Sequence, residues 1–336
     1  MDKDTLVEVR DLKTFFYTDE GVVKAVDGVD FFIKKGKTLC VVGESGCGKS
    51  ITARSIMRLI DPPGKIVDGT IKLAGNDGAE IDITALSPKG KEIRQIRGAE
   101  ISMIFQEPMS SLSPVHTIGN QLAESIRLHL SLSKEDAKAR TIEVLKEVGI
   151  PKAEQRFDSY PFELSGGMRQ RVMIAMALSC KSRLLIADEP TTALDVTTQA
   201  NILDLIQGLQ GEYNMSVMFI THDLGVVAEI ADEAVVMYLG KVVERGPVDA
   251  IFHDPRHPYL VSLLRSIPKL SAGNMERLDS IRGMVPHPFN RPTGCPFHPR
   301  CDRKIKGLCD AEQPPRAGLG PDREVTCFLY AEGGPS

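Results

Sequence analysis

Short apolar runs alternate with helical patterns through most of the 336-residue chain. Runs of four to six mainly apolar residues bounded by turn residues are typical of buried strands. Apolar residues three or four positions apart indicate helices with one buried face, as at Ile118, Leu122 and Ile126. The predicted strands are residues 38–42, 101–105, 184–187 and 216–220, and predicted helices follow residue 50, lie within 115–163 and span 197–210. These patterns predict alternating strands and helices along the middle of the chain.

The two ends of the chain depart from this alternation. Residues 5–42 contain one predicted strand after another, with apolar runs at 6–9, 15–17, 22–29 and 31–33. At the other end, twelve of the 21 prolines fall between Pro255 and Ser336. Because proline fixes φ and removes a backbone donor, we expect no regular helix or sheet in this tail. A loop-rich tail of this kind would need a covalent or metal staple.

Composition excludes several classes of protein. With 42% hydrophobic and 26% charged residues, the chain has the balance of a soluble globular protein. A net charge of −4 provides no basic footprint for nucleic acid. No apolar run approaches the roughly 18 residues that a membrane-spanning helix needs, and the first residues lack the layout of a signal peptide. We therefore expect a cytoplasmic protein whose role at a membrane, if it has one, comes through a partner.

A phosphate-binding loop follows the first predicted buried strand. Residues 43–50 read GESGCGKS, which fits the pattern G-x-x-x-x-G-K-[ST], and a helical pattern comes next. In this context backbone N–H groups surround the phosphates of a nucleotide, the lysine reaches the β and γ oxygens, and the serine binds Mg²⁺. The predicted nucleotide-binding residues of this segment are Gly43, Glu44, Ser45, Gly46, Cys47, Gly48, Lys49, Ser50 and Ile51.

A second segment, residues 164–195, carries further chemistry. Leu164-Ser-Gly-Gly-Met168 precedes a helical pattern, so Ser165 would lie at a helix N-terminus, where free N–H groups favour an anion. The apolar run 184–187 ends in Asp188 and Glu189. Two carboxylates at the end of a buried strand are costly unless they hold a metal or a water molecule. Both features point to phosphate chemistry.

With these motifs the chain resembles the ATP-binding subunits of ATP-binding-cassette (ABC) transporters. Residues 164–168 are similar to the family's signature motif, residues 184–188 to its second Walker motif, and residues 193–195 to its D-loop. The signature departs from the usual pattern at Met168, where a glutamine is common, but the residues that face phosphate are intact. The resemblance implies an α/β P-loop (RecA-like) ATPase core with an N-terminal antiparallel β layer, an inserted helical subdomain and a C-terminal extension rich in proline and cysteine. We expect an ATPase domain at 1–254, with its helical subdomain at about 110–170, and the extension at 255–336.

The resemblance also implies roles for individual residues. Glu189 would activate water, His222, which lies 33 residues further on, would bridge this water to the γ-phosphate, and Gln106 would contact Mg²⁺ and the water. Phe16 would stack on adenine, and Tyr17 is the alternative residue for this role. The remaining interpretation is that these rings are ordinary core residues of the strand. The implied Mg²⁺ ligands are Ser50, Gln106 and Asp188, and the remaining nucleotide contacts are Ser165, Gly166, Gly167 and Asp195. In this family the signature contacts the ATP that is bound to a second subunit.

The C-terminal tail resembles the ending of oligopeptide and dipeptide importer ATPases. The similar segments are His257-Pro-Tyr259 and Cys295-Pro-Phe-His-Pro-Arg-Cys301. Four cysteines lie here with the spacing C-x₅-C-x₇-C-x₁₇-C, at Cys295, Cys301, Cys309 and Cys327. In a reducing compartment such a group favours a metal over disulfides. Structural zinc sites typically use C-x₂₋₄-C pairs, which this spacing lacks, and the resemblance favours a [4Fe–4S] cluster. Zn²⁺, with His298 as a substitute ligand, and four free thiols remain the alternatives.

The function that follows is that of an ATP-hydrolysing subunit that powers import of peptides, or a related solute, at the cytoplasmic face of the plasma (inner) membrane. Its expected partners are a second, homologous ATPase in a heterodimer, two transmembrane permease subunits and, indirectly, an extracytoplasmic substrate-binding protein, with no nucleic acid. The alternative is a soluble ABC ATPase of nucleic-acid repair or translation. The absence of a basic stripe and of a heptad run disfavours this alternative.

Overall fold

A computed structural model of the chain describes residues 1–76, 78–106, 111–192, 194–267 and 281–331. The chain divides into two compact units. The first unit comprises Met1–Phe32, Leu39–Thr84 and Thr221–Ser336, and the second comprises Ile33–Thr38 and Ala85–Ile220. The C-terminal extension thus belongs to the same compact unit as the N-terminal strands and the phosphate-binding loop.

An antiparallel sheet opens the first unit and confirms the predicted N-terminal β layer. Its strands are β1 (Thr5–Thr18), β2 (Gly21–Lys34), β4 (Gly64–Ala74) and β5 (Glu80–Asp82), in the order β2-β1-β4-β5. Strand β1 pairs with β4 from Val7 opposite Leu73 to Phe16 opposite Gly64, with register shifts near Lys13. Buried residues alternate over parts of both strands, at Val7 and Val9 and at Leu12 and Thr14 in β1 and at Ile71 and Leu73 in β4, as expected for a sheet with one covered face.

The remaining strands of the first unit are ordered β11-β12-β10-β9-β3. Their bounds are β3 (Thr38–Val42), β9 (Glu233–Tyr238), β10 (Lys241–Pro247), β11 (Arg316–Gly320) and β12 (Arg323–Thr326). Strands β3 and β9 are parallel, and the other three pairings are antiparallel. The helices of this unit are α1 (Lys49–Ile56), α8 (Leu224–Ile230), α9 (Val248–His253) and α10 (Pro258–Arg265).

The expectation that the tail contains no regular helix or sheet is wrong. Helix α10 begins at Pro258, and proline is tolerated in the first turn because its missing N–H would have no partner there. The β11–β12 hairpin extends the sheet by pairing β12 with β10, where Glu244 lies opposite Val325. The prolines of the tail stand mostly between these elements, so they limit the length of the elements without preventing them.

The second unit is a parallel sheet with helices. Strands β6 (Ile101–Ile104), β7 (Leu184–Asp188) and β8 (Ser216–Thr221) lie in the order β8-β7-β6, and all their residues are buried, which is typical of parallel sheets. The helices of this unit are α2 (Lys91–Ala99), α3 (Ile118–Leu130), α4 (Lys134–Glu147), α5 (Ala153–Arg156), α6 (Gly166–Leu178) and α7 (Val196–Tyr213).

Helices α3, α4 and α6 pack against one another and confirm the predicted helical subdomain. Ile118, Leu122 and Ile126 are buried on one face of α3, as their spacing predicts. Ser133 caps α4, because its hydroxyl accepts a hydrogen bond from the N–H of Asp136 at 3.1 Å. Within the described ranges, no helix has the length and apolar character that crossing a membrane requires.

Candidate functional site

The phosphate-binding loop joins β3 to α1 and is packed closely into the first unit. A Cβ atom at Gly43 would lie 2.2 Å from the carbonyl oxygen of Met237, and one at Gly48 would lie 2.2 Å from that of Ala25. Both residues have positive φ, 151° and 99°. Only glycine can occupy these positions without displacing neighbouring backbone. The glycines of the motif are therefore required by the fold of this loop as well as by a ligand.

Lys49 lies at the start of α1 and is only 5% exposed. Its ammonium donates to the carbonyl oxygens of Gly43 at 2.7 Å and Glu44 at 3.2 Å. Ser50 and Ile51 follow in the first helical turn, where N–H groups and the helix dipole favour an anion. Ser45 and Gly46 are exposed, whereas Cys47 is buried. This arrangement can hold a phosphate against backbone amides with a cation beside it.

Glu44 has partners that sequence reasoning missed. Its carboxylate accepts two hydrogen bonds from Arg300, and its N–H donates to the hydroxyl of Tyr259 at 2.9 Å. Both partners belong to the C-terminal extension, more than 200 residues further along the chain. No local pattern in the sequence could indicate these pairings.

The two candidate adenine-stacking residues lie near the end of β1. Phe16 is half-buried opposite Gly64, and a Cβ atom at that glycine would come within 2.6 Å of the Phe16 ring. Tyr17 is 48% exposed, with the Lys65 ammonium 5.9 Å from its ring centre. The choice between them stays a prediction.

Asp188 and Glu189 lie at the end of β7, as predicted. Asp188 is buried, with 1% exposure, and Glu189 is half-buried with a positive φ of 48°. One oxygen of the Glu189 carboxylate, Oε2, accepts hydrogen bonds from the Gln106 amide at 3.3 Å and from the Thr192 hydroxyl at 3.0 Å. The structure thus brings Gln106 and Glu189 together and adds Thr192, which sequence reasoning missed.

The signature residues lie at the start of α6. Ser165 caps this helix by accepting a hydrogen bond from the N–H of Met168 at 3.3 Å. Ser165 and Gly166 are exposed, Gly167 is half-buried, and a Cβ atom at Gly166 would meet no other atom within 4 Å. These N-terminal amides are therefore accessible from outside the second unit.

His222 and Asp195 complete the predicted set. His222 is exposed and directly follows β8. Asp195 caps α7, and its hydrogen bonds from Thr198 hold the pKa of its carboxyl below the usual value. Three residues of the predicted Q-loop and D-loop, Glu107, Pro108 and Ala193, lie outside the described residues.

The predicted metal-binding cysteines surround one small pocket in the first unit. Cys295, Cys301, Cys309 and Cys327 all line it, together with His298, and all four are free thiols. Burial, followed by weaker influences that include the neighbouring thiols, raises the pKa of Cys295 to about 12 and that of Cys327 to about 11. Within the described part of the chain, however, no group of three or more His, Cys, Asp or Glu side chains is arranged to hold a metal ion. A metal site is therefore not shown.

The fold and these motifs define an ATP-binding cassette, and comparison with known proteins agrees. The family model described as ABC transporter matches residues 26–192. Among solved structures, the dimeric ABC transporter cassette MJ0796 is similar, with a TM-score of 0.63 and 27% identity over 72% of this chain and 99% of that one. A post-hydrolysis structure of the same cassette, bound to ADP and phosphate, matches equally well at 26% identity.

Further matches identify one family within the ABC transporters. The model for the C-terminal region of oligopeptide/dipeptide transporters matches residues 243–309. The chain is 52% identical to the oligopeptide transport ATP-binding protein AppD of Bacillus subtilis, over 98% of both chains. It is 45% identical to the dipeptide transport ATP-binding protein DppD of Haemophilus influenzae, again over 98% of both. The chain belongs to the ATP-binding proteins of the oligopeptide/dipeptide ABC transporter family.

Family membership confirms the main functional prediction. The chain is an ABC transport ATPase that binds ATP and is associated peripherally with a membrane through transmembrane permease subunits. The match to the transporter-specific C-terminal region favours this function over a soluble ATPase of repair or translation.

Proposed function

We propose that this chain hydrolyses ATP to power the import of peptides. The observation that carries the hydrolytic part is the Glu189 carboxylate, held at the end of β7 by Gln106 and Thr192. The similarity to oligopeptide and dipeptide transport proteins over the full chain supports peptides as the cargo.

The residues of the phosphate-binding loop bind and orient ATP in this proposal. Backbone N–H groups within residues 45–51 donate to the phosphate oxygens, whereas the Glu44 N–H donates to the Tyr259 hydroxyl. The Lys49 ammonium moves from the Gly43 and Glu44 carbonyls to the β and γ oxygens. Phe16 stacks on the adenine. These donors fix the γ-phosphate in the orientation needed for attack by water.

Ser50, Gln106 and Asp188 would hold Mg²⁺. A hydroxyl, an amide oxygen and a buried carboxylate form the hard oxygen donor set that Mg²⁺ prefers. When bound, the ion neutralises charge on the β and γ oxygens. Glu189 takes the proton of the attacking water as general base, and His222 orients this water toward the γ-phosphate.

The second half of each site would come from another ATPase subunit. Ser165 and Gly166 are exposed and Gly167 is half-buried at the N-terminus of α6, where they can donate to the γ-phosphate of an ATP bound across a dimer. Asp195 is a further proposed contact of this half-site. We propose a heterodimer with a homologous ATPase at the cytoplasmic face of the plasma (inner) membrane. An extracytoplasmic binding protein would deliver the peptide to the permease subunits.

The Glu189→Gln variant tests the hydrolytic mechanism. ATPase turnover of the assembled transporter should fall at least about 100-fold, because the general base is lost. ATP affinity should stay within about twofold, since no phosphate donor is removed. Glu229→Gln makes the same change on an exposed face of α8 and serves as control. Retention of most of the turnover in Glu189→Gln would reject the assignment.

Native mass spectrometry tests the assembly. The intact transporter should contain one copy of this chain and one copy of a different cassette chain. Two copies of this chain would contradict the heterodimer and leave the hydrolytic assignment standing.

We also propose that Cys295, Cys301, Cys309 and Cys327 hold a [4Fe–4S] cluster with a structural role. The proposal is supported by the position of these four free thiols, which all line one pocket. Four thiolates are the usual ligands of such a cluster. Among the described residues these thiols do not stand in ligating geometry, so binding of the cluster would require the loops that carry them to move. Zn²⁺, with His298 as a possible ligand, is the competing occupant.

Anaerobic purification followed by metal analysis distinguishes these occupants. The proposal predicts a brown protein with about four iron atoms per chain. The Cys327→Ser variant should lose iron and unfold at a lower temperature, whereas Cys180→Ser, outside the pocket, should keep its iron. Stoichiometric zinc, or no metal, in anaerobic protein would reject the cluster.

A further inference from the structure

A cluster of four buried side chains and one half-buried carboxylate connects the C-terminal extension to the phosphate-binding loop inside the first unit. We call it the Glu44 clamp, and it consists of Glu44, Tyr238, Tyr259, Phe297 and Arg300. Glu44 is the second residue of the loop, whereas Tyr259, Phe297 and Arg300 belong to the extension. The clamp is separate from the cysteine pocket, although Phe297 borders both.

Arg300 is the charged centre of the Glu44 clamp. Its guanidinium donates to both carboxylate oxygens of Glu44, at 2.6 and 3.0 Å, and to the Tyr238 hydroxyl at 3.3 Å. The third nitrogen, Nε, donates to the carbonyl oxygen of Arg282 at 3.0 Å. The Arg300 side chain is only 4% exposed, against 25% for Glu44. Burial opposes the charged guanidinium, but the bonds to Glu44 and Tyr238 outweigh it and raise the pKa of Arg300.

A buried arginine with a two-point bond to one carboxylate fixes the orientation of its partner as well as its position. Removing the Glu44 carboxylate would leave the Arg300 charge buried without its partner, which is strongly unfavourable. The Glu44 side chain is therefore fixed to the extension and is not available to a ligand in this arrangement.

Tyr259 holds the backbone of the same residue. Its hydroxyl accepts a hydrogen bond from the Glu44 N–H at 2.9 Å, and the side chain is fully buried in α10. Its ring packs against Tyr238 at 4.7 Å and against Phe297 at 5.3 Å between ring centres. Both the main chain and the side chain of Glu44 are thus held by the extension.

The position of the Glu44 peptide affects the orientation of the Lys49 ammonium. The Glu44 carbonyl accepts a hydrogen bond from the Lys49 ammonium at 3.2 Å, beside the Gly43 carbonyl at 2.7 Å. A shift of the Glu44 peptide would move one of the two oxygens that orient this ammonium. It would also move the N–H groups that follow in the loop.

We propose that Arg300 and Tyr259 are positioning residues for the phosphate-binding loop, so that the C-terminal extension sets the affinity of this subunit for ATP. Neither residue touches the nucleotide, and both act through Glu44. The proposal rests on the assignment of this loop as the ATP site.

ATP titration of the full-length chain tests the proposal with Arg300→Met and Tyr259→Phe. We expect ATP to bind about tenfold more weakly in Arg300→Met and about threefold more weakly in Tyr259→Phe. Tyr259→Phe keeps the ring packing and removes only the hydroxyl, so it serves if Arg300→Met does not fold. Arg316→Met is the matched control, because Arg316 also pairs with a carboxylate, Asp30, and is part of the extension. Its ATP affinity should equal that of the unmodified chain.

A double-mutant cycle separates positioning from general destabilisation. In a Glu44→Ala background, Arg300→Met should weaken ATP binding by less than twofold, because the side-chain contact through which Arg300 acts is already lost. A fully additive effect would overturn the proposal. So would a lowered unfolding temperature with unchanged ATP affinity in both Arg300→Met and Tyr259→Phe. Failure of the unmodified chain to bind ATP would instead reject the assignment of the loop.

Discussion

The two glycine-containing loops that contact ATP in our proposal differ sharply in their surroundings. In the phosphate-binding loop, Gly43 and Gly48 are buried against carbonyl oxygens, and a Cβ atom at either would approach backbone to 2.2 Å. In the signature loop, Gly166 is exposed and has no atom within 4 Å of a Cβ position. The glycines of the phosphate-binding loop are thus packed by residues of the same chain, whereas the space around Gly166 in the signature loop is free of other described residues.

This difference has a physical meaning for function. A loop that is closely packed within its own unit keeps its conformation before ATP binds. A substitution that disturbs this conformation therefore also lowers the free energy of unfolding of the chain. An exposed helix N-terminus with small residues leaves room for close approach of a ligand held by another molecule. The glycines are thus required by packing in the first loop, and we infer that those of the second are required by a partner's ATP.

The largest effect is expected for Gly48→Ala. The new methyl group would overlap the Ala25 carbonyl, and alanine is strained at a φ of 99°. Overpacking of this kind costs about 1–3 kcal/mol of unfolding free energy. ATP affinity should fall at least about 100-fold, measured by titration of the full-length chain. Normal affinity and stability in this variant would remove the basis of the comparison.

A smaller effect is expected for Ser165→Ala. Loss of the cap on α6 should cost about 1 kcal/mol in denaturant unfolding. Ser165→Asp sharpens the comparison, since aspartate can also cap the helix but adds a negative charge where we place a phosphate. The free energy of unfolding of Ser165→Asp should return to that of the unmodified chain. The ATPase turnover of the transporter that contains Ser165→Asp should be at least tenfold lower than that of the unmodified transporter. Recovery of both properties would show that Ser165 acts only as a cap.

The smallest effect is expected for Gly208→Ala in the interior of α7. A Cβ atom there would meet no atom within 4 Å, and the residue is exposed. Alanine should raise the unfolding free energy by about 0.5–1 kcal/mol through its higher helix propensity. ATP affinity and transporter turnover should not change. A destabilised Gly208→Ala would show that open space around a glycine does not identify tolerant positions in this chain.

Local patterns in the sequence predict much of the fold and most of the candidate site. The apolar runs that end at Val42 and Asp188 predict β3 and β7, and the motif GESGCGKS predicts the loop between β3 and α1. The spacing of Ile118, Leu122 and Ile126 predicts the buried face of α3. Each of these signals lies within a few residues of the structure that it determines.

Long-range pairing could not be predicted in the same way. Glu44 and Arg300 are 256 positions apart, and nothing near either residue indicates the other. The β11–β12 hairpin was missed because its strands are short and rich in glycine and charged residues, and they follow two prolines. Its stability comes from pairing with β10, which is a property of the folded unit.

The most direct test of the central claim compares two measurements on Gly166→Ala. The claim is that the phosphate-binding loop is complete within this chain, whereas the signature loop acts only on ATP held by a second subunit. ATP affinity of the full-length chain alone should stay within about twofold of the original value. ATPase turnover of the assembled transporter should fall at least tenfold, because the close approach to the γ-phosphate is blocked. The claim would be contradicted if ATP bound at least tenfold more weakly to the isolated Gly166→Ala chain. It would also be contradicted if the transporter that contains this variant kept normal ATPase turnover.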